Sequence, residues 1–532
     1  MNYVIGSGPA GVSAAAALVE QGQPVTMLDA GGDLEPALAS TALRLASRPV
    51  DEWTSADRES VRGPLRFNAE GAPLKLAFGS DYAYRDVDRL LPVEAHGVDA
   101  YRSLATGGLS VLWGAAILPF SDTDFSGWPV GAADMAAHYA AALRMTGLAG
   151  EHDGLARTYP LYIEPTTRMT PSRQARLIAE RMARNAAELE RQSIHFGAAR
   201  LAITRSPGAV AECVRCAMCL YGCPYGLIYS TRATVQALRA VPGFSYQPGL
   251  LVRRLTERHA DVAIDAVTRD TLEPRRFEAS RVYLAAGALA STAILLESLP
   301  ARPPAMTLRQ SDHFLLPLAL RRSAGRMATE RLHTLSQMFI EVTDAAVARH
   351  AVHLQLYTHN DFYARIAKAR LGAAYALLAP IVDRVVDRLV LMKGYVHSDE
   401  SAAIRVRLEP GPAGPTLRAD AVDPGASDAV IRRVVALLRR NSGRIGAMPL
   451  GPGLRRGLPG SSVHVGGSFP MRMRPGDFES DTLGRPAGMT RVHVVDSTTF
   501  PTMPAAPPTL TVMANARRIA LASHQQDGPC SA

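Results

Sequence analysis

The glycine pattern in the first 31 residues constrains the fold of this chain more than any other feature. A short apolar run over 3–5 meets the turn Gly6-Ser7-Gly8-Pro9-Ala10-Gly11, and an alanine-rich stretch follows it. A second apolar run over 25–28 then ends at Asp29. This order predicts a strand, a glycine turn, a helix and a second strand.

The three glycines have separate physical roles in such a turn. Gly6 permits the tight turn, Gly8 has no Cβ to keep a pyrophosphate off the backbone, and Gly11 lets the helix touch the strand. The helix N-terminus then presents unpaired N–H groups and a positive dipole end to the phosphates. Asp29 can accept hydrogen bonds from ribose hydroxyls. The segment therefore predicts a dinucleotide-binding site, with an accidental glycine turn as the alternative.

Composition narrows the class of protein. A length of 532 residues with 47% hydrophobic residues indicates two or more domains. The motif begins too near the N-terminus to leave room for a secretory signal, so we expect a cytoplasmic protein, and export with a signal-bearing partner stays open. The longest uncharged stretch, 497–516, contains four prolines and cannot span a membrane. The net charge of +9 is spread along the chain, and we expect no nucleic-acid partner.

Weaker patterns predict the remaining elements. The run 104–114 is a second glycine-rich loop, whose adjacent glycines let backbone approach a flat cofactor; a turn before a buried strand is the alternative. The segment 362–393 reads as two amphipathic helices broken at Pro380. Apolar spacing also predicts helices over 131–147, 170–195 and 290–298, and strands over 282–287, 336–342, 351–358 and 402–408.

Four of the five cysteines lie within eleven residues, which argues against a disulfide framework and for a metal or redox site. Their spacing, C-x2-C-x2-C-x3-C-P, is that of the bacterial ferredoxin run. We expect an iron–sulfur cluster, 4Fe–4S in preference to 3Fe–4S, while zinc and free or disulfide-bonded thiols stay open. The predicted ligands are Cys213, Cys216, Cys219 and Cys223, and Cys530 is a further candidate.

Four separated segments agree with one family. Besides the N-terminal turn, they are the loop 106–114, the strand end Leu284-Ala-Ala-Gly-Ala-Leu-Ala-Ser-Thr292, and a C-terminal region with His464-Val-Gly-Gly-Ser-Phe-Pro-Met471, 492–501 and 509–513. In order and spacing the chain resembles the glucose–methanol–choline (GMC) flavin oxidoreductases over most of its length. The resemblance implies FAD, a two-domain architecture, and removal of hydride from a C–H bond next to a hydroxyl.

The resemblance also implies roles for particular residues. His464 matches the catalytic histidine, which would act as the base near the flavin, and Asp496 would sit by the diphosphate and ribityl chain. His333, His359, His397 and His493 are expected to be structural. The implied cofactor-binding residues are Gly6, Gly8, Gly11, Asp29, Gly107, Gly108, Ser110, Trp113, Gly114, Ala286, Gly287, Asp496 and Thr509.

One position departs from the family pattern. Family members place a second His or Asn beside the catalytic histidine, and the matching position here is Pro507. Proline offers no side-chain donor or acceptor. Either another residue supplies that contact, or the reaction is not plain alcohol oxidation.

The predicted fold is mixed α/β, α+β overall: a Rossmann-type FAD-binding domain with a discontinuous substrate domain built on an antiparallel sheet. The FAD-binding domain is expected to comprise 1–304 and 455–532, with a wrapping insertion over about 32–98 and a cysteine loop over 211–226. The substrate domain is expected to comprise 305–454.

These expectations combine into an FAD-dependent dehydrogenase that oxidises a CH–OH group of an alcohol, sugar or lipid-like substrate. An iron–sulfur cluster would pass the electrons singly to an acceptor protein or a quinone. The alternatives are a flavin reductase or isomerase acting on a C=C or C=O group, and a catalytically silent flavoprotein.

The segment 362–393 also predicts a partner. Its helices either pack in the core or contact an anionic membrane surface, at the inner face of the membrane in a cytoplasmic protein. The basic residues assigned to that contact are Arg365, Lys368, Arg370, Arg384, Arg388 and Lys393.

Overall fold

The computed structural model describes residues 1–67, 74–204, 212–301, 303–411 and 414–525 as a mixed α/β fold. The helices are α1 (Pro9–Glu20), α2 (Pro36–Ala46), α3 (Ser55–Arg62), α4 (Val87–Leu90), α5 (Ala132–Thr146), α6 (Arg173–Ala183), α7 (Ala186–Glu190), α8 (Thr231–Leu238), α9 (Ala288–Ser298), α10 (Asp361–Leu371), α11 (Ala374–Val386), α12 (Asp428–Arg440), α13 (Ser442–Ile445) and α14 (Thr509–Gln525).

The strands form four sheets. They are β1 (Asn2–Ile5), β2 (Val25–Leu28), β3 (Val93–His96), β4 (Ile194–Ala198), β5 (Phe244–Gln247), β6 (Leu250–Glu257), β7 (Val262–Thr268), β8 (Pro274–Ala279), β9 (Arg281–Leu284), β10 (Met306–Gln310), β11 (His313–Leu320), β12 (Met338–Val342), β13 (Val352–Tyr357), β14 (Leu389–Tyr395), β15 (Ala403–Glu409), β16 (Thr416–Val422), β17 (Ala447–Pro449), β18 (Arg455–Arg456), β19 (Val465–Gly466) and β20 (Val492–Val494).

A parallel sheet of five strands brings distant parts of the chain together, in the order β20-β9-β1-β2-β5. Its two central strands are apolar runs that are almost wholly buried, as expected for strands covered on both faces. One face packs against α1, α8 and α14, and the other packs against α9 and the antiparallel β6-β7-β8 sheet. The carboxyl ends of β1, β2, β9 and β20 therefore meet along one edge.

The glycine turn joins β1 to α1 at that edge. Gly6 has a φ of +100°, which a residue with a side chain rarely adopts. Gly8 is the N-cap, and Pro9 follows at the first helical position, where its fixed φ suits a helix start. A Cβ on Gly11 would lie 1.9 Å from the carbonyl oxygen of Gly6. The helix can therefore start this close to the strand only with glycine at 11.

The largest sheet is antiparallel and covers the cavity described below. Its order is β17-β11-β14-β13-β12-β4, with β18 also pairing to β11. Alternate residues of its central strands form an apolar core with α6 and α12. The other residues of β11, β13 and β14 face the cavity. A further sheet, β19-β10-β15-β16-β3, lies beside it and is antiparallel except for the β16–β3 pair.

Most elements predicted from sequence are confirmed, including α1, α5, α9 and the antiparallel strands β12, β13 and β15. The predicted break at Pro380 is wrong: the two helices separate at Gly372, which has a φ of +54°, and position 380 lies inside α11. The segment 32–98 has more regular structure than its broken pattern indicates, since α2, α3 and α4 form there and β3 joins a sheet. None of the helices within the described ranges has the length and apolarity needed to cross a bilayer.

Candidate active site

A cavity of about 670 Å³ lies between the carboxyl edge of the parallel sheet and the largest antiparallel sheet. It collects most of the site residues that the sequence predicts. Of the predicted cofactor-binding residues and His464, Gly11 and Gly107 are the two that do not line it: Gly11 packs against Gly6, and the Gly107 N–H donates to Ser7 Oγ. The predicted residues that do line it are Gly6, Gly8, Asp29, Gly108, Ser110, Trp113, Gly114, Ala286, Gly287, His464, Asp496 and Thr509.

Asp29 is held at the end of β2 by the glycine turn. Its carboxylate accepts hydrogen bonds from the Ser7 N–H at 2.8 Å, the Gly31 N–H at 2.7 Å and the Tyr246 hydroxyl at 3.1 Å. Burial raises the pKa of Asp29 even though these hydrogen bonds act to lower it. The carboxylate is thus fixed at the cavity wall, beside the space that a ribose would occupy.

The second glycine loop lies directly on the first. The Gly107 N–H donates to Ser7 Oγ at 2.8 Å, and a Cβ on Gly108 would lie 3.6 Å from Gly8 Cα. Gly107 and Gly108 have φ values of +95° and +57°, so the loop requires glycine there. Gly108, Leu109 and Ser110 of this loop line the cavity, as expected for a loop whose backbone forms part of the wall.

Asp496 ties β20 to the start of α9. One carboxylate oxygen accepts from the Gly287 N–H at 2.9 Å and from Ser291 Oγ at 2.6 Å, and the other accepts from the Thr498 N–H at 3.0 Å. Burial raises its pKa, as it does for Asp29. Both acids thus lie at the glycine-loop end of the cavity, where N–H donors surround them.

His464 lines the same cavity. Its ring stacks on Tyr395, with centroids 4.7 Å apart and planes at 13°. Its Nδ1 is buried without a hydrogen-bond partner among the described residues. Burial lowers the pKa of His464 well below its usual value, and the positive charge of Lys393 lowers it further. The imidazole is therefore neutral at neutral pH and can accept a proton.

The cavity wall on the largest sheet holds polar residues that the sequence analysis missed. They share the cavity with Pro507, the position that departs from the family pattern. Alternation of polar residues along β13 and β14 was the available signal, because every second residue of a strand points to the same face. These residues are His313, Gln355, Tyr357, Lys393 and Tyr395.

A hydrogen-bonded chain runs through this wall. The Tyr357 hydroxyl donates to Gln355 Oε1 at 2.8 Å, and Gln355 Nε2 lies 3.1 Å from His353 Nε2. His353 Nδ1 contacts the carboxylate of Glu341, which also accepts from the Tyr159 hydroxyl at 3.2 Å. Because each group has a partner, the wall presents Tyr357 to the cavity in a fixed orientation.

The other predicted structural histidines lie elsewhere. His397 Nδ1 accepts from the Asp399 N–H at 3.1 Å and caps a short turn, and burial lowers its pKa to about 3. His493 Nδ1 lies 2.9 Å from the Leu483 carbonyl oxygen, and burial lowers the pKa of His333 to about 4. None of these three is among the residues that line the cavity in the described structure.

The four clustered cysteines surround a second, small cavity of about 20 Å³. They have free thiols. Burial raises the pKa of Cys213 to about 12, and it also raises the pKa values of Cys216 and Cys223. The neighbouring sulfur atoms raise all three further. Cys530, the fifth candidate, lies outside the described residues.

Backbone N–H groups point at the sulfur atoms. The Thr334 N–H donates to Cys219 Sγ at 3.4 Å, and the Arg215 and Met218 N–H groups donate to Cys213 and Cys216. Cys223 accepts from three further amides. Arg215 and Ala217 reach these positions with φ values of +57° and +60°. The loop is thus shaped to present amide donors to sulfur.

The two cavities share one wall residue. Leu335 lines both, and Leu220, next to Cys219, lines the larger one. Lys75 lies in the same region: its Nζ donates to the Trp113 carbonyl oxygen at 2.9 Å, and its charge acts on Cys219. The cysteine site therefore adjoins the larger cavity through a single side chain.

The known proteins that are similar to this chain in sequence or fold are named as oxidases. No family model matches the chain. Paromamine 6'-oxidase of Streptomyces fradiae is 26% identical over 546 aligned positions, which cover 98% of this chain and 90% of that protein. The 6'''-hydroxyparomomycin C oxidase of Streptomyces lividus is 28% identical over 314 positions, 56% of this chain and 49% of that one.

The structure of pyridoxine 4-oxidase from Mesorbium loti shares the fold. It matches with a TM-score of 0.60 over 98% of this chain and 99% of its own, at 16% identity. The chain is therefore similar over nearly its whole length to proteins named as oxidases, which supports the prediction of an oxidoreductase.

Two glycine substitutions separate nucleotide binding from folding. A Cβ at Gly8 has no atom within 4 Å, and its methyls would enter the cavity, so Gly8→Val should fold normally and lose the bound dinucleotide. Gly11→Ala should instead lower the free energy of unfolding by about 3 kcal/mol, because its Cβ overlaps the Gly6 carbonyl. Denaturant unfolding and nucleotide content measure the two effects. Full nucleotide binding by Gly8→Val would contradict the assignment.

Proposed function

We propose that this protein is an FAD-dependent oxidoreductase, of the GMC type that its sequence resembles, acting on a CH–OH group of a small alcohol or sugar. The observation that carries the proposal is that one cavity is lined both by the glycine turn that begins at Gly6 and by the neutral imidazole of His464. The comparisons support it, since the matched proteins are oxidases.

The residues present fit an FAD molecule. Gly8 leaves open space where a pyrophosphate would lie, and α1 points its N-terminus at that space. Asp29 and Asp496 offer carboxylates for ribose and ribityl hydroxyls. When bound, FAD accepts a hydride from the substrate carbon and releases the two electrons to an acceptor.

His464 has the proton-transfer role in this proposal. Burial keeps the imidazole neutral, and its orphaned Nδ1 leaves a ring nitrogen available for the hydroxyl proton as the C–H bond is broken. Tyr395 fixes the ring plane by stacking. The oxidised product would be an aldehyde or ketone, and His464 would hold the proton released from the hydroxyl.

We further propose that Cys213, Cys216, Cys219 and Cys223 hold an iron–sulfur cluster, 4Fe–4S in preference to 3Fe–4S, which passes single electrons onward. The four thiols line one small cavity. The ferredoxin-like spacing and the amide donors to sulfur favour a cluster over zinc.

The position of the cysteine loop suits a relay. Leu335 separates it from the larger cavity, and the neighbouring Arg215 is exposed at the surface. An acceptor protein or a quinone could therefore collect electrons at this loop. In that arrangement the enzyme is a dehydrogenase in preference to an oxidase.

Replacing one cysteine tests the relay. Cys216→Ser should remove iron and acid-labile sulfide while FAD stays bound, because the two cavities have separate walls apart from Leu335. Electron transfer to an external acceptor should slow more than flavin reduction by substrate. Cys530→Ser is the matched control and should keep the cluster. Stoichiometric zinc in anaerobically prepared protein would overturn the cluster assignment.

Replacing the histidine tests the proton transfer. His464→Ala should slow anaerobic flavin reduction by about 10²–10⁴-fold without loss of FAD, the usual contribution of a general base. Since the pKa of His464 is lowered, the rate in the parent should fall only when the pH drops well below 6.5. The surface variant His152→Ala should match the parent. Equal rates for His464→Ala and the parent would place the base elsewhere.

We propose in addition that α10 and α11 contact an anionic membrane surface, at the inner face in a cytoplasmic protein. Leu377, Ile381 and Val385 lie on one stripe of α11 and are 85%, 61% and 50% exposed. The exposed bases Lys368, Arg370, Arg384 and Arg388 lie on the same helix pair or just after it.

Two of the basic residues predicted for this contact point elsewhere. Arg365 Nη2 donates to the Gly63 carbonyl oxygen at 2.7 Å and lies over the Tyr221 ring, so it packs against the protein. Lys393 belongs to β14 and faces the cavity. The membrane contact is therefore assigned to the four exposed bases and the apolar stripe.

Vesicle sedimentation tests this contact. The double variant Leu377→Asp/Ile381→Asp should bind vesicles containing about a quarter phosphatidylglycerol at least tenfold more weakly. It loses two apolar side chains that would enter the membrane interface, and each contributes about 1.5 kcal/mol or more to binding. Leu43→Asp, at a leucine 70% exposed on α2, is the matched control and should bind normally. Equal binding of the parent to neutral and anionic vesicles would contradict the proposal.

A further inference from the structure

We propose that the substrate of this site carries an anionic group, a carboxylate, sulfate or phosphate, which the ammonium of Lys393 binds beside His464. This inference rests on the proposed function, because it names the class of molecule that enters the same cavity. It assigns Lys393 as a binding residue that determines specificity and involves no covalent step.

Lys393 is placed on the wall by the register of the largest sheet. On β14 it stands opposite Leu315 of β11 and Gln355 of β13. Tyr395, two residues further along, points to the same side, and the Lys393 Nζ lies 5.1 Å from the centroid of its ring. His464 stacks on that same ring. The ammonium of Lys393 and the imidazole of His464 therefore both lie against the ring of Tyr395.

Nothing in the described part of the chain neutralises this ammonium. No carboxylate oxygen of the described residues lies within 4 Å of Lys393 Nζ, and no acid acts on its pKa, which burial lowers to about 8. The acids that line the cavity are Asp29, Asp99 and Asp496. Asp29 and Asp496 accept hydrogen bonds from backbone N–H groups near the glycine loops, and the carbonyl oxygen of Asp99 packs against Gly460.

The neighbouring charges are all positive or neutral. Lys75 also lines the cavity, and burial followed by the positive charge of Lys393 lowers its pKa, while burial lowers the pKa values of His313 and His464 and keeps both rings neutral. Lys75 already donates to Trp113. An enclosed cation without a counter-ion is costly, and an anionic ligand removes that cost, whereas an amine would meet two like charges.

Three probes with the same primary hydroxyl and different charge test the inference on the FAD-loaded protein. They are 4-(hydroxymethyl)benzoate, 4-(hydroxymethyl)benzamide and 4-(hydroxymethyl)benzylamine, with dissociation constants from the flavin difference spectrum. A hydrogen bond between charged groups corresponds to about 10–100-fold in affinity, so the acid should bind at least tenfold tighter than the amide and the amine weakest.

Lysine variants show whether Lys393 causes this preference. Lys393→Met should reduce the acid-to-amide ratio to about one, and Lys393→Arg should keep most of it. Lys368→Met, on the surface of α10, is the matched control and should behave as the parent. Because only the protonated amine binds the anion, the acid should bind progressively more weakly above pH 8, and Lys393→Arg should lose this pH dependence.

Failure of this inference and failure of the proposed function give different results. Equal affinity for acid and amide, preference for the amine, or an unchanged ratio in Lys393→Met overturns the inference. A protein that binds no FAD overturns the proposed function instead, and calorimetry with the same probes and variants then decides the charge preference without flavin. Thermal unfolding checks the fold of Lys393→Met, which should match the parent because the lost charge has no ionic partner.

Discussion

Close contact between bare backbone segments around Gly6 is the constraint on which the rest of the structure depends. The Gly6 carbonyl fills the space where a Gly11 side chain would begin, and a Cβ on Gly6 would lie 2.5 Å from the Ala285 carbonyl oxygen. The second glycine loop adds a further contact at Gly8. Distant parts of the chain approach this closely because positions 6 and 11 carry no Cβ. Their meeting point forms one end of the cavity.

The charged groups of the cavity have different surroundings. Asp29 and Asp496 accept hydrogen bonds from backbone N–H groups, whereas the ammonium of Lys393 lies near the Tyr395 ring on which the neutral His464 stacks. Groups of opposite charge at fixed positions orient a polar ligand. The strands β11, β13 and β14 also contribute polar side chains to this cavity, whereas Pro507, in the segment before α14, contributes none.

Local sequence patterns predict most of the helices and strands and the two glycine-rich loops. The turn at Gly6–Gly11, the acid at Asp29 and the cysteine spacing each depend on neighbours in sequence; the structure has the turn between β1 and α1 and the four cysteines around one small cavity. Lys393, His313 and Tyr357 could not be placed this way, because their meeting depends on strand pairing over long separations. Lys393 was instead assigned to a surface helix, since its basic neighbours on α10 and α11 hid the strand that follows. The break at Gly372 was missed because Pro380 was the stronger local signal.

The cofactor content of the protein tests the central claim most directly. Purification without oxygen, followed by denaturation and analysis of flavin, iron and sulfide, should yield about one FAD and a few iron and sulfide ions per chain. The flavin band should bleach when a substrate is added anaerobically. Release of a nicotinamide nucleotide with no flavin absorbance would contradict the account, because the cavity between Gly8 and His464 would then serve a different chemistry.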